Sequence, residues 1–171
     1  MVGTLEAVAD PTALAAAILF REARLLDRGE WKDWVAMYRN DAVYWVPSWL
    51  DEYETSSDPH TQVSLIYHDR RRGLEERIAR IESRKSITAL PLPRTVHQIG
   101  NIEVLEANAG RIVCESVFSV HVYDQRVAKE HVRHGRYHHT LVREGDGWLI
   151  ARKVITLVND CVPTVLDFYS I

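Results

Sequence analysis

Apolar and polar positions alternate along the second half of the chain in four long runs. Arg94–Ala107 (RTVHQIGNIEVLEA), Arg111–Asp124 (RIVCESVFSVHVYD), Lys129–Glu144 (KEHVRHGRYHHTLVRE) and Trp148–Asn159 (WLIARKVITLVN) are rich in Val, Ile, Thr and aromatics, with partial period-two patterning. They read as strands of ten residues or more, against about 5–6 for an average strand. Asn108-Ala109-Gly110 separates the first two runs and Gly145-Asp146-Gly147 the last two. These residue types tolerate the positive φ of a tight reversal. Strands this long form a strongly twisted, curled antiparallel sheet, one face of which needs cover.

The first half supplies that cover, with apolar spacing near the helical period. Asp10-Pro11-Thr12 starts a helix with an acidic cap and a proline whose missing N–H costs nothing there. Its pattern runs to Arg28, with Gly29 as a left-handed stop. Ala15, Ile18, Leu19, Leu25 and Leu26 gather on one face, and Arg21, Arg24, Asp27 and Arg28 on the other. Two residues break the pattern. Phe20 lies on the polar side, as for a second contact surface, and Glu22 sits inside the apolar stripe. Trp31–Tyr38 predicts a short second helix with Trp31, Trp34, Val35 and Tyr38 on one side, and Asn40-Asp41 then turns the chain into a strand at Ala42–Pro47.

Ser48–Gln62 reads as a polar loop excursion that nevertheless carries Trp49, Leu50 and Tyr53, and Val63–Asp69 as extended. Arg71–Glu82 predicts a third helix with Leu74, Ile78 and Ile81 as its buried edge. Glu76 and Arg80 support it in the favourable i,i+4 orientation; Arg71–Glu75 and Arg72–Glu76 have the weaker, reversed one. Ser86–Pro93 is a proline-punctuated linker, Met1–Ala9 a frayed lead-in, and Val165–Ile171 an apolar tail expected to be tied down. The order helix, helix, strand, helix, meander predicts an α+β fold: N-terminal helices packed on a long, strongly curved, mostly antiparallel sheet. Residues 1–171 read as a single domain.

Composition narrows the function classes. Net charge is −3 and no basic stripe stands out, so no nucleic acid is expected as a partner. No apolar run approaches the about 18 residues of a membrane span, and the N-terminus has no cationic leader. Cys114 and Cys161 form no disulfide framework. A soluble cytoplasmic protein is the expectation, with neither a membrane nor a nucleic acid among its partners.

Candidate chemistry is sparse. His131, His134, His138 and His139 share one strand, with His121 in the strand before. Period two puts His134 and His138 on one face and His131 and His139 on the other. Residues four apart on a strand are about 13 Å apart, too far to hold one metal ion. The chain has no Cys-x-x-Cys, no Gly-x-Ser-x-Gly, no phosphate-cradling glycine loop and no dinucleotide fingerprint. Glu22 remains. A helix across the mouth of a curled sheet can point a carboxylate into a conical cavity, where desolvation raises its pKa and suits it to proton abstraction. The competing reading is a structural buried acid paired with Arg94, His97 or Arg136, and it weighs more, because structural ion pairs also perturb acids.

An ordered series of segments then resembles one family. Phe20-Arg21-Glu22-Ala23-Arg24-Leu25-Leu26-Asp27 with Trp31 and Trp34, and Asp41-Ala42-Val43-Tyr44-Trp45-Val46-Pro47, look like the opening of the small (β) subunit of aromatic-ring-hydroxylating (Rieske) dioxygenases. Ser64–Asp69 into Leu74-Glu75-Glu76-Arg77, then Pro93-Arg94-Thr95-x-His97, and Trp148-x-Ile150-Ala151-Arg152-Lys153, continue the series. Pro91–Thr95 and Val165–Tyr169 look most like the benzoate, anthranilate and 2-halobenzoate branch. The resemblance implies an NTF2-like cone of helices against a curled sheet. It also implies assembly with a large (α) subunit, as α3β3 with β–β contacts. That subunit holds a Rieske 2Fe–2S cluster and a mononuclear iron, with electrons arriving from NADH through a reductase. No cofactor, metal or catalytic residue is expected in this chain. Trp49, Tyr53 and Phe20 are the expected partner-interface residues, because exposed aromatic surface marks interfaces. The rival functions are a free-standing isomerase or dehydratase of the same cone fold using Glu22, and a binding module holding a small apolar ligand in the cone.

Overall fold

The computed structural model describes residues 8–83, 90–159 and 165–171. Helix α1 spans Pro11–Arg28. Asp10 Oδ1 accepts from the Ala13 N–H at 2.8 Å, meeting one of the unpaired donors of the first turn. At the other end Gly29 has a φ of 67°, and its N–H closes on the Leu25 and Leu26 carbonyls. Ala15, Leu19, Leu25 and Leu26 are buried as their spacing predicts.

Helix α2 is shorter than its periodicity predicts, Trp31–Val35. Tyr38 already opens strand β1 (Tyr38–Pro47). The Met37 carbonyl accepts from the Ile150 N–H at 2.8 Å, so pairing with a distant strand captures the chain before a further helical turn forms. Asn40-Asp41 consequently make no turn ahead of the strand. They lie in a break of register inside it, between Tyr38, opposite Ile150, and Val43, opposite Arg152.

Strand β2 (Ser64–His68) and helix α3 (Arg72–Glu82) follow. The excursion between β1 and β2 is more ordered than a plain loop. Trp49 bridges Thr55, and Asp51 Oδ1 ties the tip by accepting from the N–H groups of Tyr53 and Glu54. On α3, Leu74 and Ile78 are buried. The reversed pairs Arg71–Glu75 and Arg72–Glu76 both form at 2.9 Å, whereas Arg80 lies 3.9 Å from Asp167.

The long strands fall where alternation places them: β3 (Arg94–Ala107), β4 (Arg111–Asp124), β5 (Lys129–Glu144) and β6 (Gly147–Leu157). The sheet order is β2-β1-β6-β5-β4-β3. All its pairings are antiparallel except β1 with β6, which is parallel. Register shifts in β1, β3 and between β5 and β6 mark bulges, which add twist and curl the sheet. Gly135 in β5 lies where a Cβ would stand 2.0 Å from the Thr156 carbonyl oxygen, so no larger residue fits the close approach of β6.

Helix α1 packs chiefly on β3, inside the curl. The concavity is filled by Trp34, Tyr38, Tyr44, Phe118, Tyr137 and Phe168, all buried. Trp34 stacks on Phe168 at 4.6 Å, and Phe118 on Tyr137 at 4.0 Å. The tail is tied down: Phe168 and Ile171 are buried, Arg77 donates to Asp167 at 2.8 Å, and Arg133 holds Ser170. Residues 1–7, residues 86–89 of the linker and Cys161 lie outside the described residues. Among the described residues, no helix is long and apolar enough to cross a membrane.

Candidate functional site

The inward stripe of α1 places Glu22 at the centre of the concavity, 1 % exposed. Four donors from four elements converge on it. Lys153 Nζ on β6 donates to Oε1 at 2.9 Å. The Tyr38 hydroxyl on β1 and Trp34 Nε1 on α2 (3.4 Å) donate to the same oxygen. His139 Nε2 on β5 lies 3.3 Å from Oε2. These are not the partners read from the sequence. Arg94 and Arg136 are exposed, and His97 is engaged elsewhere.

The electrostatics follow from this arrangement. Burial alone would raise the Glu22 pKa, but the Lys153 ammonium and the hydrogen bonds from His139 and Tyr38 outweigh it, so the carboxyl is held well below its ordinary range. Burial lowers the His139 pKa more than Glu22 raises it, which keeps the imidazole neutral. Burial also draws Lys153 down, against the pull of the carboxylate 2.9 Å away. The phenols of Tyr38, Tyr44 and Tyr137 are pushed well up by burial, with the Glu22 charge adding to it. Lys153 also stands 4.2 Å over the Tyr137 ring. Glu22 is therefore an ionised acceptor whose two oxygens already hold donors, inside a packed interior. A general base needs a lone pair facing a substrate. Here the geometry makes a buried ion pair.

A second acid lies five residues further along α1. Asp27 Oδ1 faces His97 Nδ1 at 2.6 Å and accepts from Thr95 Oγ at 2.9 Å, while Oδ2 accepts from the His97 N–H at 2.9 Å. Burial opposes ionisation of Asp27, yet the His97 contacts lower its pKa overall. This pair borders an open groove of about 370 Å³ between α1 and β3. Helical periodicity places Asp27 on the polar face and does not by itself give this pairing. The available signal was an acid at the end of a helix that must cross a strand carrying Thr95-x-His97.

Of the expected interface residues, Phe20 is 50 % exposed and Tyr53 85 % exposed. Trp49 differs: its indole Nε1 donates to the Leu157 carbonyl at 2.7 Å, and the ring is half-buried. It anchors the β1–β2 excursion to β6, leaving Tyr53 and Leu50 as the outward apolar groups. Phe20 and this excursion do not form one patch, because α1 lies on β3 at one edge of the sheet and the excursion joins strands at the other.

The donor set among the described residues fits neither an iron–sulfur cluster nor a mononuclear iron. Among the described residues, no three His, Cys, Asp or Glu side chains are grouped to hold a metal ion. Burial pushes the Cys114 thiol up to about 11, away from the thiolate a cluster requires.

With this geometry in hand, the likenesses of the chain to known proteins can be placed. The family model described as ring hydroxylating beta subunit matches residues 21–164. The chain is 38% identical over 153 residues to the toluate 1,2-dioxygenase subunit beta of Pseudomonas putida, covering 90% of this chain and 93% of that one. It is 39% identical over 155 residues to the 2-halobenzoate 1,2-dioxygenase small subunit of Burkholderia cepacia, covering 91% and 93%. Among solved structures it superposes on the beta subunit of the benzoate 1,2-dioxygenase from Burkholderia mallei with a TM-score of 0.78 at 32% identity, covering 99% of this chain and 100% of that one.

Proposed function

The chain belongs to the ring hydroxylating beta subunit family, and from that premise we propose that it is the small, architectural subunit of a terminal oxygenase that dihydroxylates an aromatic acid of the benzoate class. The observation that carries this reading is the match over nine-tenths of its length to the small subunits of toluate and 2-halobenzoate 1,2-dioxygenases. A large subunit, assembled with it as α3β3 in the cytoplasm, would hold the Rieske cluster and the mononuclear iron and receive electrons from NADH through a reductase. No residue of this chain is given a catalytic role; all 171 residues serve as one structural domain.

What this chain contributes is shape. The Glu22–Lys153 pair clamps α1 to β6 from inside, and Tyr38 and His139 bring β1 and β5 to the same point. Such a matched buried pair favours one arrangement of helix on sheet over slipped alternatives. That rigidity suits a part that holds the relative positions of larger neighbours. The tip of the β1–β2 excursion, with Tyr53 and Leu50 outward and Trp49 as its anchor, supplies one contact; Phe20 supplies another.

Co-expression with a large subunit of the benzoate class tests the reading. The expected result is a single hetero-oligomer whose native mass gives three copies of each chain, with ring dihydroxylation only when both are present. A chain that stays separate from the large subunit overturns the function. Tyr53→Ala with Leu50→Ala is expected to lower recovery of the complex about tenfold, in line with loss of an aromatic anchor. Full recovery removes the excursion from the interface while leaving the function standing.

A further inference from the structure

Phe20, Arg24 and Arg28 fall at i, i+4 and i+8, so they form one row along α1. That row borders the groove whose opposite wall is β3, with Ile99 and His97. Two features of the groove lack a partner. The first is its positive charge. Asp27 lies between the arginines in sequence, but its oxygens are already taken by Thr95 and by the His97 backbone and ring. Arg28 reaches only the exposed Glu30, at 3.9 Å. Among the described residues Arg24 has no ion-pair partner. The groove is thus lined by two arginines against one carboxylate, Asp27, and Arg24 is the cation left over.

The second feature is His97. Its side chain is 1 % exposed, and Nε2 has no hydrogen-bond partner. Nδ1 is engaged by Asp27, so Nε2 is the ring nitrogen left without a partner. Buried polar atoms are almost always paired; among the described residues that depart from this, His97 is the one that lines the groove.

We propose that this groove receives a segment of the large subunit that presents a carboxylate to Arg24 and Arg28, an apolar group to Phe20 and Ile99, and a polar group to His97. The proposal rests on the reading of the chain as a small subunit. Arginine and aromatic side chains in one row are the residue types enriched at such contacts. The openness of the groove favours a docked polypeptide over a free aromatic acid. A small ligand buries most of its surface when it binds tightly, and here it would stay largely in water, whereas a segment laid along the helix covers the whole row.

The test uses the co-expressed complex. With p-benzoylphenylalanine placed at Phe20, irradiation is expected to yield an adduct of this chain with the large subunit. An adduct of two copies of this chain, or an intact complex with no adduct, overturns the proposal. Arg24→Glu with Arg28→Glu is expected to weaken assembly at least tenfold, and Arg24→Lys with Arg28→Lys to restore most of it. Because the wild-type contact is charge-assisted, its assembly weakens with added salt, and the reversed variant should lose most of that dependence. Undiminished assembly of the reversed variant overturns the proposal but not the function, which fails only if the wild-type chain does not assemble. Benzoate titrated into the isolated chain is expected to give no saturable signal. Saturable binding that the reversed variant abolishes would overturn the proposal in favour of a small-molecule site. Unaltered thermal unfolding of the reversed chain by itself separates a docking effect from misfolding.

Discussion

Helix α1 carries two acids that meet different fates. Glu22 lies in the dry interior, and four donors from four elements hold it. Asp27 lies at the rim, one quarter exposed, where Thr95 and His97 hold it. Depth explains the difference. A charge removed from water must be matched completely, because each missing hydrogen bond costs its full desolvation. At the rim, solvent or a neighbouring chain can finish what the fold leaves incomplete. The interior acid is matched wholly within the fold, and the rim acid shares its site with solvent.

The largest expected effect comes from breaking the interior pair. Glu22→Gln leaves the Lys153 ammonium buried without a counter-charge, and the expected loss is about 3–5 kcal/mol in urea denaturation of the full chain. Lys153→Met alone should cost a comparable amount, about 3–5 kcal/mol, by leaving the carboxylate unmatched. The double substitution should cost clearly less than the sum of the two. Strict additivity would show that the two groups are not coupled.

Asp27→Asn is expected to cost less, about 1–2 kcal/mol, since it weakens hydrogen bonds at a partly solvated site. Its larger consequence should be a loosened His97, seen as altered ring resonances in NMR. If Asp27→Asn destabilises as much as Glu22→Gln, the distinction between interior and rim fails.

The smallest effect is in the pH dependence, and it separates the regions again. His139 has a folded pKa below its ordinary value of 6.5, so the unfolded chain takes up the proton first and stability falls as pH drops below about 6.5. Glu22 and Asp27 are both lowered, from ordinary values of 4.5 and 3.8. Their stabilisation is fully present above those values and is lost as pH falls through the folded pKa values. Wild-type stability should therefore decline gently from pH 7 to 5 and steeply below about 4.5. His139→Asn should reduce the gentle part, the remainder coming from His68, whose pKa burial and Arg77 also lower, and leave the steep part. A profile flat from pH 7 to 5 in the wild type would mean that His139 is not held neutral.

Much of this was legible beforehand. The bounds of β3, β4 and β5 follow from alternation and turn residues, and α1 begins and ends at its cap and glycine. Glu22 drew notice as a charge in an apolar stripe. Its partner carried the same signal: Lys153 stands among the inward-facing Ile155 and Leu157 of β6. Two opposite charges, each interrupting an apolar stripe, predict one another. Which strand would deliver the lysine was not legible, because Glu22 and Lys153 are 131 residues apart.

The sequence by itself determined where the helices and long strands lie, which faces are apolar and which family the chain resembles, since periodicity and turn chemistry act over a few residues. Only the tertiary structure decided that β1 joins β6 in parallel, that Trp49 anchors a hairpin instead of standing free, and that His97 turns to Asp27 and not to Glu22. Each of these depends on contacts between segments far apart in the chain, and the closure of the curled sheet selects among them.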